Sequence, residues 1–161
     1  MTSPHTLTLR LHGDRSIVMT RLFDAPRTLV FDAWTEPELV KRWLTGPPGN
    51  TLETCEIDLR PGGRLRYVWR LRDGPEMGMS GEYREVVRPE RFVHTELFDE
   101  DWTGGEAILT AELTEQERRT TVTMTVEYAS AEARDAVLET GMQGGMASSF
   151  DALDQVLASL G

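Results

Sequence analysis

Apolar and polar positions change their spacing repeatedly along this chain, and each change predicts an element. Ile17 to Phe23 (IVMTRLF) is β-branched and apolar, the composition of a strand. Leu7, Leu9 and Leu11 alternate before it, and either extend that strand or pair with it as a hairpin through His12-Gly13-Asp14. Asp24-Ala25-Pro26 opens a helix, because the missing N–H of Pro26 would be unpaired in a first turn anyway, and the helix is predicted to run to Trp34. Thr35-Glu36-Pro37-Glu38 has the form of a capping box and predicts a second short helix carrying Leu39, Val40, Trp43 and Leu44. Thr45-Gly-Pro-Pro-Gly49 ends it.

The spacing then becomes two. Cys55, Ile57 and Leu59 alternate with charged residues, as do Leu65, Tyr67, Trp69 and Leu71 after the turn Pro61-Gly62-Gly63. Further strands are predicted at Met79–Val87, Phe92–Phe98, Glu106–Leu113 and Thr120–Tyr128, the last two joined through Glu115-Gln116-Glu117. Helical spacing returns at the end. Ser130 is placed to cap Ala131–Leu138, and Thr140 with Gln143 forms a second capping-box candidate at the start of a long helix. Its apolar stripe is Met142, Met146, Phe150, Leu153 and Leu157. The expected class is α+β: an antiparallel sheet of about six to seven strands wrapped around a long C-terminal helix, with two short helices after the first strand.

Composition narrows the setting. The 161 residues suit one domain, read as an N-terminal extension over 1–15 and a single domain over 16–161. A formal net charge of −10 disfavours nucleic acid and anionic membrane surfaces as partners. Cys55 is the sole cysteine, so an intrachain disulfide is impossible, which fits a reducing compartment. The N-terminus lacks a basic region followed by an apolar run, and no run approaches the ~20 apolar residues that cross a bilayer. A cytoplasmic location is the expectation.

Several blocks in order carry a family resemblance: FDAPRTLVFDAWTEPELVKRW, EIDLRPGGRLRYVWR, SGEYREVVRPERFVHTE and SAEARDAVLETGMQGGMASSFDALDQVLA. Together, over about Ser16 to Leu160, the chain resembles the SRPBCC or START-like superfamily, and more narrowly homologues of the C-terminal domain of the activator of the heat-shock-protein-ninety ATPase. The resemblance implies a helix-grip fold with a cavity between sheet and C-terminal helix. It implies no one activity, since members include lipid and hormone binders, polyketide cyclases, toxin-resistance proteins and co-chaperone domains. Relatives commonly carry two tryptophans where this chain has Trp43-Leu44.

The candidate chemistry follows from parity. Gly141, Gly144 and Gly145 cost a helix roughly 1 kcal/mol each against alanine, and are read as a helix junction and as room beside Met142 and Met146. Those flexible methionines and Phe150 suit an adaptable apolar lining, to which Trp43, Tyr67, Trp69, Met79, Tyr83, Phe98 and Trp102 are added as candidates. His94 and Glu96 share parity with Phe92 and Phe98. If that parity faces inward they form an acid–base pair, with Glu85 across from them and the imidazole pKa raised by the neighbouring carboxylate; if Val93, Thr95 and Leu97 face inward, His94 is solvated. The histidines lack metal-ligand spacing, so no metal or other cofactor is expected, and no Gly-x-Ser-x-Gly elbow is present. Arg64, Arg66, Arg70 and Arg72 are expected on a solvated face, paired with acids such as Glu56, Asp58 and Glu82.

The function these residues predict is binding of a small hydrophobic or aromatic molecule. A cyclase or hydrolase using His94, Glu96 or Glu85 is the first alternative. A co-chaperone-like module acting on a heat-shock-protein-ninety homologue is the second.

Overall fold

A computed structural model describes residues 3–101 and 104–161. Eight strands form one open antiparallel sheet, in the order β1-β2-β8-β7-β6-β5-β4-β3. They are β1 (Thr8–His12), β2 (Ser16–Phe23), β3 (Thr51–Ile57), β4 (Arg64–Arg70), β5 (Glu76–Val87), β6 (Arg91–Phe98), β7 (Ala107–Gln116) and β8 (Arg119–Glu127). The helices are α1 (Arg27–Thr35), α2 (Pro37–Val40), α3 (Ala131–Glu139) and α4 (Met142–Leu160). This α+β arrangement with a C-terminal helix is consistent with the helix-grip expectation. The count of eight exceeds the expected six to seven because Leu7–Leu11 takes the hairpin alternative: β1 pairs with β2 from Thr8↔Thr20 to His12↔Ser16.

Local chemistry explains most element ends. β7 and β8 meet in a two-residue turn whose central residues, Glu117 (φ 54°) and Arg118 (φ 62°), both lie in the left-handed region. Two positive φ values give the turn the twist that antiparallel strands require. Ser130 caps α3 as expected, its Oγ accepting from the Ala133 N–H at 3.0 Å.

Both capping boxes fail, for one reason. Thr35 is the last residue of α1, and its Oγ donates to the Phe31 carbonyl at 2.8 Å, so Glu36 takes the cap of α2. Thr140 likewise donates to the Val137 carbonyl at 2.6 Å, and Gly141 (φ 76°) stands at the start of α4. In each case the preceding helix captures the hydroxyl, the i−4 or i−3 competition open to any threonine near a helix end. Gly141 is there because its left-handed backbone would strain any residue with a Cβ.

The core lies on one face of the sheet. Phe150 of α4 meets Phe23 of β2 edge-on at 5.6 Å, with Trp34 and Trp43 completing the cluster. Arg21 of β2, only 4 % exposed, donates to Asp154 at 2.6 Å and ties the same helix to the sheet. The opposite face carries the arginines as expected, with other partners: Arg66 grips Asp99 through both terminal nitrogens at 2.6 and 2.7 Å, and Arg70 reaches Glu53 at 2.7 Å. Exposed pairs of this kind are screened by water and salt, so they solubilise the face more than they hold it.

Candidate functional site

The alternation that makes each strand half-buried aims a row of side chains at α4. Tyr67 and Trp69 on β4, Met79 on β5, and His94, Glu96 and Phe98 on β6 all border one cavity of about 460 Å³. Met142, Gly145 and Met146 close it from α4, and the loop at Leu44–Pro47 from the side. The loop is seated by two small residues. Ser149 accepts from the Gly46 N–H at 2.9 Å, and Gly145 lies against Pro47, where a Cβ would stand 3.4 Å away, in ordinary contact. The Trp69 indole donates to the Leu44 carbonyl at 2.8 Å, which holds the far end of the loop against β4.

Two ionisable side chains of β6 give the cavity a polar wall. His94 is 4 % exposed, stacked on Phe92 with ring centroids 5.8 Å apart and met edge-on by Tyr83 at 5.4 Å. Its Nδ1 donates to the Thr95 carbonyl at 3.1 Å, so the neutral ring leaves Nε2 as an acceptor. Burial lowers its pKa to about 4 against a smaller upward pull from that carbonyl; the expected rise from a neighbouring carboxylate is absent. Glu96 is partly buried, and its carboxyl makes no hydrogen bond among the described residues. Desolvation raises its pKa to about 7. Its charge is felt at the phenols of Tyr67 and Tyr128, both of which also border the cavity and are held well above the ordinary tyrosine range by burial.

Other expected positions fall elsewhere. Trp43 is fully buried, its indole donating to the Ala33 carbonyl at 2.9 Å, and belongs with Phe150 to the core rather than the cavity lining. Tyr83 is also core, packed on Phe92. Trp102 lies outside the described residues. Glu85 faces away: β5 carries a bulge between Tyr83 and Glu85, where Tyr83 pairs with His94 and Glu85 with Val93. The extra residue reverses parity, and Glu85 bonds Arg91 at 3.1 Å on the outer face.

The strands missed as lining are β2, β7 and β8, which contribute Met19, Leu109, Met124 and Val126, together with Trp34 of α1. Their segments read as strands and a helix, but nothing in the sequence separates a wall residue from a core residue. Among the described residues no group of three or more His, Cys, Asp or Glu is placed to hold a metal, and no helix is long and apolar enough to cross a membrane. Cys55 is buried, with its pKa raised to about 12 by desolvation, and is therefore a packed thiol rather than a nucleophile.

An open antiparallel sheet, a long C-terminal helix and a cavity between them define a ligand-binding class of fold. Residues 24–158 match the family described as Activator of Hsp90 ATPase homolog 1-like protein, and the chain belongs to that family. A solved structure from Rhodobacter sphaeroides is 32% identical, with TM-score 0.90, covering 96% of this chain and 99% of that one. Proteins from Mycobacterium smegmatis (29% identity, TM-score 0.82, covering 94% of this chain and 96% of that one) and Nitrosomonas europaea (25% identity, TM-score 0.83, covering 93% and 98%) share the fold. No curated protein sequence matches it.

Proposed function

We propose that this protein binds a small, mainly apolar molecule in the cavity between sheet and α4. The observation that carries the reading is the cavity itself: about 460 Å³, bordered by methionines and aromatic rings, with one polar wall on β6. Sites for small ligands span about 300–1,000 Å³ and combine mostly apolar walls with a few polar groups. The methionines Met19, Met77, Met79, Met124, Met142 and Met146 all border it, and their unbranched side chains adapt to irregular shapes. Nile red, an uncharged fluorescent probe, is expected to bind the purified protein, and native mass spectrometry to find small molecules carried through purification. Met146→Trp, which fills part of the space, is expected to weaken Nile red binding by at least about fivefold, the loss of roughly 1 kcal/mol. Wild-type protein that neither binds the probe nor carries a ligand overturns the reading.

A second reading is favoured by one observation, that His94 and Glu96 both border the cavity. A neutral imidazole and a carboxyl whose pKa is raised to about 7 form a base and an acid that coexist near neutral pH. A cyclase- or hydrolase-type reaction would use them in those roles, and turnover lost in both His94→Gln and Glu96→Gln with folding intact is its test.

A further inference from the structure

The charge of the cavity is one-sided: the neutral phenols of Tyr67 and Tyr128 border it, but the acid Glu96 has no cation beside it among the described residues. Glu96 presents a carboxyl without a hydrogen-bond partner among the described residues, and His94 presents Nε2 as an acceptor. Among the described residues no lysine or arginine borders the cavity. A ligand bearing a carboxylate or phosphate would therefore meet a carboxyl and no countercharge, an unfavourable like-charge approach out of water. A ligand bearing a cation would meet the reverse: two acceptors, in a cavity that Trp34, Tyr67 and Trp69 also border.

We propose that the cavity selects apolar molecules carrying a basic amine, with the ammonium paired to Glu96 and the apolar body among the methionines. The inference rests on the ligand-binding reading above and names the chemistry of its ligand. The desolvation of Glu96 is already met by the fold, so an incoming ammonium loses only its own hydration and gains a charge-assisted hydrogen bond. The titratable groups facing Glu96 are Tyr67 on β4, Tyr128 after β8 and His94 on its own strand. The cavity-bordering residues of α3, α4 and the Leu44–Pro47 loop include no titratable side chain among those described. Amine binding therefore reports on Glu96: below its pKa of about 7 the amine must displace a proton, and affinity falls up to about tenfold per pH unit.

The test uses the full chain and three matched ligands: naphthylethylamine, naphthylethanol and naphthylacetate, titrated by calorimetry at mildly alkaline pH. The amine is expected to bind about tenfold tighter than the alcohol, and the carboxylate weakest. Glu96→Gln is expected to bring amine and alcohol to within about twofold. Glu85→Gln, on the outer face, keeps the amine preference, which separates the cavity carboxyl from the general attraction of a chain with net charge −10. Equal affinities for amine and alcohol in the wild type, a preference that survives Glu96→Gln, or one that disappears in Glu85→Gln overturns the amine inference while alcohol binding leaves the cavity reading standing. Failure of all three ligands together with Nile red overturns both.

Discussion

The two halves of α4 show the same helical spacing and opposite environments. Phe150, Leu153 and Leu157 are fully packed, with Phe23, Trp34 and Trp43 around Phe150. Met146 and Met142, on the same stripe one and two turns earlier, border the cavity. The difference lies in residue type: rings and branched chains fill the second half, whereas glycines and unbranched methionines thin the first. An amphipathic stripe thus fixes which way a helix faces, and side-chain volume decides whether it packs into the core or borders a cavity.

The largest effect that tests this contrast is truncation in each half. Phe150→Ala is expected to cost about 3–5 kcal/mol in chemical denaturation, the range for a large ring removed from a closed core. Met146→Ala, whose side chain borders the cavity, is expected to cost less than about 1 kcal/mol. Equal costs would erase the distinction between the halves.

A smaller effect concerns the wall that faces the first half. Glu96 titrates at about 7 in the folded state, above its ordinary 4.5, so its contribution is complete at acid pH and is lost as pH rises through 4.5 to 7. His94 titrates at about 4, below its ordinary 6.5, so its contribution is present above 6.5 and is lost as pH falls toward 4. The two slopes oppose one another between 4.5 and 6.5. Glu96→Gln is expected to make the protein less stable on acidification across that window relative to wild type, and His94→Gln relatively more stable, by up to about 1.4 kcal/mol per pH unit. Denaturation midpoints measured across the window check both signs.

The smallest effects separate two of the glycines. Gly141→Ala places a Cβ on a left-handed backbone (φ 76°) and is expected to destabilise by about 1 kcal/mol. Gly144 has no heavy atom within 4 Å of a notional Cβ, and Gly144→Ala is expected to stabilise by about 0.5 kcal/mol through helix propensity. Thermal unfolding of the two variants should shift in opposite directions.

The fold was legible wherever periodicity reported burial. Strand parity predicted the inward face of β4, and the stripe of α4 identified Met142 and Met146; on β6 parity left two faces open, and the structure turns His94 and Glu96 to the cavity. What escaped depends on features without a periodic signature. A hydroxyl at a helix boundary serves either neighbour, and Thr35 and Thr140 both chose the helix behind them. Trp43 and Phe150 looked like lining and are core, because parity cannot report depth. Glu85 was misplaced by a bulge that no residue in EYREVV announces.

That bulge also determines how much charge the interior must accommodate. In an uninterrupted ladder from the Tyr83↔His94 pair, Glu85 would stand opposite Phe92, which is 1 % exposed. A second carboxyl would then sit inside, against aromatic rings and far from Arg91. With the extra residue, Val86 takes the place beside Phe92 and the acid is returned to water and to its arginine. One inserted position in β5 thus sets the ionic inventory of the interior, leaving a single acid on the cavity side of the β5–β6 pair, and a deletion there would change what the protein can hold before it changed how the sheet is joined.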